Sequence, residues 1–287
     1  MSGSEIQLRL PARPENVALV RQAVSGIAEA IGVDPALLAD MKTAVTEACN
    51  NVVLHAYPEA EGAMEVDASP DEDHVVIAVR DYGSGMQPKS VQPDEPSLGL
   101  GLPLIAALSD RFEIHGGSGL GIEVRMVFLT AEGAELPGSR NGDVAADAPM
   151  PRMDDTSKAA GIAITPGPVM GPVLGRMMAM LAARADFSLD RLSDAVLVTD
   201  AIAANVSSFI AGPHASILFK DGEHKIDMRV GPLVEGGAHQ LMRTMELPGL
   251  ERSLEQLADE VRIEKADTDA GEQSGEYLMV RISSGTS

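Results

Sequence analysis

The chain has 287 residues, enough for two domains of ordinary size, and carries a formal net charge of −21. Both halves are acidic, which argues against nucleic acid or an anionic membrane as a partner. The single cysteine, Cys49, excludes a disulfide framework and a cysteine-based metal cluster, and its helical context predicts a small buried hydrophobe. The sequence shows no signal peptide and no run of about 18 apolar residues, so we expect a cytoplasmic protein without a membrane segment.

The first part of the chain predicts an α+β arrangement, because helical periodicity and strand alternation occur in separate groups. Pro14 precedes the first helical pattern as a start signal. The predicted order is strand, helix, helix, strand, strand, helix, strand, strand. The ranges of these elements are 6–10, 15–31, 35–56, 63–68, 74–80, 101–109, 112–115 and 123–129.

The second part repeats this series after a segment rich in Gly, Pro, Ala, Asp and Ser. That composition predicts a flexible linker at 131–158, between a domain at 1–130 and another at 159–287. The second series is 161–164, 168–184, 188–209, 216–219, 225–230, 250–259, 261–264 and 277–282. A hairpin is predicted across Asp221-Gly222 within it.

Two pairs of segments indicate an internal duplication. Residues 38–52 can be laid over 192–206, and residues 108–114 over 257–263. Chance similarity is the alternative for either pair alone, but both occur in the same order within the same string of elements. We therefore predict a tandem pair of two-layer α/β sandwiches, each with helices on one face of a mixed sheet.

Polar residues in the second helix form a stripe along one helical face. Glu47, Asn51 and His55 are each four residues apart, whereas Ala44 and Val45 mark the buried side. A carboxylate and an amide in line can supply a base and a ligand for a hard cation. The ordinary alternative is a solvated helix surface, with His55 capping or packing the helix end.

Two glycine-rich stretches follow in the same domain. The stretch DYGSGM, 81–86, leaves the strand 74–80 with a carboxylate and two glycines, and SLGLGLPLI, 97–105, opens a helix. Glycine lets a ligand approach the backbone, and the first N–H groups of a helix suit a phosphate. Each stretch alone is more often a turn than a site, but the three motifs in this order form a specific signal.

In these motifs the chain resembles the GHKL ATPases, and within them the bacterial anti-sigma-factor serine/threonine kinases. TEACNNVVLHAY is similar to their N-box, VRDYGSGM to their first glycine box and LGLGLPLI to their second, over roughly residues 5–130. The resemblance implies the Bergerat-type ATP-binding fold, ATP as the bound nucleotide and Mg²⁺ as its cation. Glu47 is then the general base, Asn51 ligates Mg²⁺, and Asp81 accepts the adenine amino hydrogen. The ATP-binding positions so implied are Asn51, Asp81, Gly83, Gly85, Met86, Gly99, Leu100, Gly101 and Leu102.

The sequence departs from this family at one position and in its second half. Gly121-Ile122 stands where the family usually has a Gly-Thr pair, which removes a hydroxyl near the nucleotide. In the second half, aligning Asn205 with Asn51 puts Ala201 at the Glu47 position, while a shift by one brings in Asp200 and loses the asparagine. Neither register keeps both residues, and neither glycine box recurs. We predict a degenerate second domain without nucleotide motifs, in which the pair Gly236-Gly237 is only a turn.

Two functions fit these features. The first is an ATP-dependent serine/threonine protein kinase that acts as an anti-sigma factor, binding an RNA polymerase sigma factor and phosphorylating an anti-anti-sigma partner of the STAS type. The second is a non-catalytic, ATP-gated protein-binding module. Because kinases of this family usually act as homodimers, the joined domains predict either an intrachain pseudo-dimer or a homodimer.

Overall fold

A computed structural model describes residues 6–58, 61–83, 101–117, 121–131, 133–137, 159–245, 254–266 and 274–285 of the chain. The chain divides into two units, Met1–Ala146 and Asp147–Ser287, each with its own apolar core. Most of the predicted linker, 131–158, lies outside the described residues. Among the described residues, no helix has the length and apolar character needed to cross a membrane.

The first unit follows the predicted order of elements. Its elements are β1 (Ile6–Pro11), α1 (Pro14–Ile31), α2 (Pro35–Asn51), a π-helical turn (Val52–Ala56), β2 (Ala63–Pro70), β3 (His74–Asp81), α3 (Gly101–Leu108), β4 (Arg111–Gly117) and β5 (Gly121–Leu129). The helix predicted at 35–56 is therefore α-helical only to Asn51, because the last turn widens into a π-helix, a feature common at functional sites.

The five strands of the first unit lie in the order β4-β5-β3-β2-β1. Every pairing within this set is antiparallel. The predicted mixed sheet is therefore wrong for this unit. Strand direction follows from which strands pair over long range, and the alternation of apolar residues within one strand does not encode it.

Local sequence signals fix the two long helices of this unit. Pro14 occupies the first turn of α1, and Gly32 ends that helix in the left-handed conformation, at φ 70°. The side chain of Asp34 caps α2 by accepting a hydrogen bond from the Ala36 N–H at 2.8 Å. Helix α2 contacts β3 and β5, and α1 contacts β1 and β2. These helices thus cover the sheet where the candidate site lies.

The second unit contains β6 (Ala160–Ile164), α4 (Met170–Arg184), α5 (Leu189–Asn205), a 3₁₀ turn (Val206–Ser208), β7 (Ala215–Gly222), β8 (Lys225–Leu233), α6 (Gly237–Thr244), α7 (Leu254–Leu257), β9 (Glu260–Lys265) and β10 (Glu276–Ser283). Helix α6 was not predicted, because Gly236-Gly237 was interpreted as a turn. Gly236 does turn the chain, at φ 74°, but as the N-cap of this helix. Of the helix predicted at 250–259, the described residues form only the single turn of α7.

The strands of the second unit lie in the order β6-β7-β8-β10-β9, again with antiparallel pairing throughout. The mixed sheet predicted here is wrong as well. Matching β1 with β6 and continuing in chain order gives the same strand arrangement in both units. Helices α2 and α5 each have 17 residues, each has a side-chain cap, from Asp34 and Ser188, and each ends at an asparagine.

Candidate functional site

A cleft in the first unit lies between the second helix and the end of the sheet. The empty space in and above it, open solvent included, amounts to about 360 Å³. The walls from α2 and the π-helical turn are Ala48, Asn51, Val52, His55 and Ala56. The walls from β3 and β5 are Val79, Asp81, Ile122 and Val124. Six of these nine residues are apolar, so the cleft suits a flat, largely apolar group with a few polar contacts.

Asp81 is the buried carboxylate of this cleft, with 5% of its surface exposed. The N–H of Gly83 donates to its Oδ1 at 2.9 Å, and the N–H of Ile122 donates to the same carboxylate. Burial raises the pKa of Asp81, and the two N–H donors offset only part of that rise. A carboxylate with two donors keeps acceptor capacity, so it can still accept a hydrogen bond from a group in the cleft.

Two glycines allow the backbone to pack tightly behind Asp81. A β-carbon at Gly83 would stand 2.0 Å from the carbonyl oxygen of Ala56, at the end of the π-helical turn. A β-carbon at Gly121 would stand 2.1 Å from the carbonyl oxygen of Asp81, and Gly121 also has φ 74°. Gly83 is thus needed for a contact between two protein segments, and the predicted contact with a nucleotide base stays a prediction.

Glu47 and Asn51 meet the beginning of α3. A β-carbon built on Gly101 would be 3.4 Å from Oε2 of Glu47 and 3.5 Å from Oδ1 of Asn51. The structure therefore brings three of the predicted site residues together. The carboxylate of Glu47 and the amide of Asn51 both lie beside Gly101, the first residue of α3.

The amide of Asn51 is the unusual group in this space. Its Nδ2 atom is buried and finds no hydrogen-bond partner among the described residues. A buried polar atom left without a partner costs free energy, which is a reason to expect a ligand there. The amide oxygen of this side chain and the carboxylate of Glu47 are both hard oxygen donors of the kind that Mg²⁺ prefers.

The other predicted residues contribute less to the described geometry. Gly85, Met86, Gly99 and Leu100 lie outside the described residues. Leu102 is half-buried in α3 and is not part of the cleft wall. His55 is exposed and lies on the cleft wall. No group of three or more His, Cys, Asp or Glu residues within the described ranges could hold a metal ion.

Cys49 lies next to the cleft wall but not in it. It is fully buried, and that burial raises the pKa of its thiol to about 12. The residue therefore packs as a neutral hydrophobe, as predicted.

Sequence reasoning missed two groups that hold the site. The backbone N–H of Ile122 leaves no trace in the sequence, because every residue type except proline has that donor. The hydroxyl of Tyr57 accepts a hydrogen bond from the N–H of Tyr82 at 2.9 Å and donates to the carbonyl of Ala63 at 2.6 Å. The tyrosine was part of the quoted N-box, but nothing in its spacing indicated this role.

The corresponding place in the second unit has different chemistry. The amide of Asn205 donates to the carbonyl of Ala201 in its own helix at 2.8 Å. The end of β8 is bonded to the segment after α5, through the N–H of Ala211 to the carbonyl of Pro232 at 2.9 Å. Helix α6, with its buried Leu241, follows directly. The last three residues of β8, Gly231-Pro232-Leu233, include no carboxylate of their own.

Comparison with known proteins agrees with this geometry. Residues 10–128, which contain the cleft, match the family described as histidine kinase-like ATPase domain. Serine-protein kinase RsbW of Oceanobacillus iheyensis is 34% identical over 128 residues, which are 40% of this chain and 81% of that protein.

The chain belongs to the histidine kinase-like ATPase family. Serine-protein kinase RsbW of Bacillus velezensis is 34% identical and that of Bacillus mycoides 35%, each over 128 residues that make up 40% of this chain and 80% of the relative. The resemblance deduced from the motifs is thus confirmed. The matched region, residues 10–128, lies within the first unit and ends before the predicted linker.

Proposed function

We propose that the first unit binds Mg²⁺-ATP in the cleft and transfers the terminal phosphate to a serine or threonine hydroxyl of a protein partner. The observation that carries this proposal is that Asn51, which lines the cleft together with the buried Asp81, also meets Glu47 and Gly101 at the start of α3. In this proposal the cleft takes the heterocycle, and the space beside Gly101 takes the phosphates. Relatives named serine-protein kinase support the choice of a hydroxyl as acceptor.

The nucleotide is held by both parts of the cleft in this proposal. The apolar walls cover the faces of the adenine ring, and the carboxylate of Asp81 accepts a hydrogen bond from its amino group. The phosphates lie at the N-terminus of α3, where helix N–H groups have no partner within the helix. Asn51 holds the Mg²⁺ with its amide oxygen, and Mg²⁺ neutralises charge on the phosphate oxygens when bound.

Glu47 is the general base of the proposed reaction. It lies on the same helical face as Asn51, one turn earlier, and its carboxylate reaches the start of α3. A carboxylate here takes the proton from the attacking hydroxyl as the new phosphorus–oxygen bond forms and the bond to the leaving ADP breaks. A carboxylate at this position is not needed for binding ATP, so its retention favours catalysis over binding alone.

We further propose that the chain acts as an anti-sigma factor. Its partners are then an RNA polymerase sigma factor and an STAS-type anti-anti-sigma protein, the latter as the phosphate acceptor. A net charge of −21 favours a partner surface with a basic patch, because complementary charge speeds encounter. The expected intrachain pseudo-dimer or homodimer stays a prediction that the mass of the chain in solution tests.

The second unit is, in this proposal, a duplicated copy that has lost nucleotide binding. The common strand order and the equal lengths of α2 and α5 support duplication. Three features support the loss: the Asn205 amide bonds to its own helix, Ala201 stands at the glutamate position, and β8 ends in Leu233 where β3 ends in Asp81. Of the two possible registers, the helix ends favour the one that pairs Asn205 with Asn51.

An ATP-gated binding module without turnover is the second candidate. The observation that favours it is Ile122, an aliphatic side chain on the cleft wall. Without a hydroxyl there, the nucleotide has one polar contact fewer from a side chain. The Ile122 N–H still bonds to Asp81, which keeps the carboxylate in place.

The test has two steps. Calorimetry with Mg²⁺-ATP compares the intact chain with Asp81→Asn. We expect the intact chain to bind Mg²⁺-ATP and the Asp81→Asn variant not to bind it. A radiolabel transfer assay with a STAS-type acceptor then compares the intact chain with Glu47→Gln. Transfer that disappears in Glu47→Gln while ATP binding persists supports the kinase. Binding without transfer to any acceptor supports the gated module, and absence of binding to the intact chain overturns both.

A further inference from the structure

The two residues that flank Asp81 are both held on the opposite face of the sheet. Side chains alternate along a strand, so Arg80 and Tyr82 point away from the cleft that Asp81 enters. Each of them contacts acidic side chains of neighbouring strands. The contacts run to β5 on one side of β3 and to β2 on the other.

Arg80 forms a small ion-pair cluster across three strands. Its Nε donates to Oε2 of Glu123 at 3.0 Å, and Nη1 lies 3.5 Å from Oδ2 of Asp67 and 3.7 Å from Oε2 of Glu65. Glu123 and Glu65 are the direct cross-strand neighbours of Arg80 on β5 and β2. The side chains of Arg80 and Glu123 are only 23% and 18% exposed, so solvent screens this pair less than an ordinary surface pair.

The charge of Arg80 is stabilised by this cluster. Burial alone would lower the pKa of Arg80, but the hydrogen bond with Glu123 and the charges of Glu123 and Asp67 raise it above the ordinary value. A charged guanidinium that bonds to carboxylates is among the stronger contacts that a sheet surface can carry.

Tyr82 is held on the β2 side. Its hydroxyl donates to Oε2 of Glu65, and its N–H donates to the hydroxyl of Tyr57. Asp81 thus stands between two residues whose side chains are both fixed behind the sheet.

The link to the cleft runs through β5. Glu123 is the next residue after Ile122, whose N–H donates to the carboxylate of Asp81. The ion pair between Arg80 and Glu123 therefore joins the residue before Asp81 to the residue after its hydrogen-bond donor. A change in the spacing of β3 and β5 at this point would move the carboxylate and its donor apart.

We infer that Arg80 and Glu123 are positioning residues, which set the orientation of the Asp81 carboxylate and with it the discrimination of adenine from other bases. This inference rests on the proposed function, because it needs a nucleotide base in the cleft. It concerns base selectivity, which a purely structural ion pair would not affect.

The test compares the affinities of the full chain for ATP and inosine triphosphate, each with Mg²⁺, by calorimetry. Inosine triphosphate has a carbonyl where adenine has its amino group, so a well-placed carboxylate rejects it. Arg80→Gln is the main variant, and Glu123→Gln is a second variant with unchanged side-chain shape. Arg125→Gln is the matched control, since Arg125 lies two residues from Glu123 on the same face of β5.

We expect Arg80→Gln and Glu123→Gln each to lower the ATP preference by about five- to tenfold. Most of this change comes from weaker ATP binding, and Arg80→Lys, which keeps the charge, restores part of the preference. Arg125→Gln keeps the preference of the unaltered chain.

The inference is overturned if Arg80→Gln and Glu123→Gln both keep the ATP preference of the unaltered chain. This holds whether the two affinities are unchanged or both fall equally. Asp81→Asn separates this failure from that of the proposed function. If Asp81→Asn keeps normal ATP binding, the proposed role of Asp81 is wrong. If it abolishes ATP binding while the two variants keep the preference of the unaltered chain, only the positioning role is wrong.

Discussion

The start of α3 stands over the carboxylate of Glu47, since a β-carbon on Gly101 would lie 3.4 Å from its Oε2 atom. This distance is an ordinary van der Waals contact, so an alanine fits at position 101 without moving its neighbours. A methyl group there would, however, fill the space that Glu47 and Asn51 share with the helix N-terminus.

Gly101→Ala is therefore expected to separate stability from binding. Alanine is the better helix former, so the melting temperature should stay the same or rise. Binding of Mg²⁺-ATP should weaken by about tenfold or more, because the methyl group occupies the space proposed for the phosphates. Thermal unfolding and calorimetry on the same preparation check both. Unchanged affinity would argue against phosphates at the start of α3.

The two helix-ending asparagines provide a matched pair of substitutions. The Asn51 amide has a buried nitrogen without a partner among the described residues, whereas the Asn205 amide bonds to its own helix. Asn51→Ala should lower the affinity for Mg²⁺-ATP by about thirtyfold or more, with little loss of stability. Asn205→Ala should leave that affinity unchanged.

Calorimetry of both variants at equal Mg²⁺ measures the difference. A loss of ATP binding in Asn205→Ala would contradict the view that the second unit takes no part in nucleotide binding.

Gly83 is required by a backbone contact, and its substitution should affect folding. A β-carbon there would stand 2.0 Å from the Ala56 carbonyl oxygen, and backbone cannot move aside as a flexible side chain does. Gly83→Ala should lower the free energy of unfolding by about 1–3 kcal/mol. Gly212→Ala is the control, because a β-carbon at Gly212 meets nothing within 4 Å. Urea unfolding measures the stability of both variants. If Gly83→Ala is as stable as Gly212→Ala, the backbone around Gly83 can move away from Ala56 without cost.

Local patterns predicted most of the first unit, and the exceptions have identifiable physical causes. The stripe of Glu47 and Asn51 follows from helical spacing, and the strands follow from alternation. The antiparallel sheet was missed because strand direction depends on partners distant in sequence. The α-helix was extended through Val52–Ala56 because the helical pattern of residues does not reveal whether the backbone closes i→i+4 or i→i+5 hydrogen bonds.

The sequence predicted those parts of the site that are formed by side chains, and it missed the hydrogen bonds that are donated by backbone groups. Motif spacing selected Asp81 without any knowledge of its burial. The donors that hold its carboxylate, from Gly83 and Ile122, are backbone N–H groups. The aliphatic side chain of Ile122 gave no indication that this residue makes a polar contact. Helix α6 was missed for a related reason, since a glycine at a helix N-cap and one in a free turn look alike in a sequence.

The burial of Asp81 predicts a specific dependence of stability on pH. Its pKa is raised in the folded chain above the ordinary value of 3.8, mainly by burial. The folded state therefore holds this proton more tightly than the unfolded state does. As the pH rises above the unfolded pKa, ionisation of Asp81 costs stability, and this cost reaches its full value above the folded pKa.

Asp81→Asn removes that cost while its amide oxygen still accepts the N–H of Gly83. The stability of the variant relative to the unaltered chain should therefore increase from pH 4 towards pH 7, as measured by urea unfolding at each pH without nucleotide. Over the same range the unaltered chain should gain affinity for Mg²⁺-ATP, since only the ionised carboxylate accepts the amino hydrogen without competing as a donor. A constant stability difference between the two chains at every pH would mean that Asp81 titrates as an exposed carboxylate does.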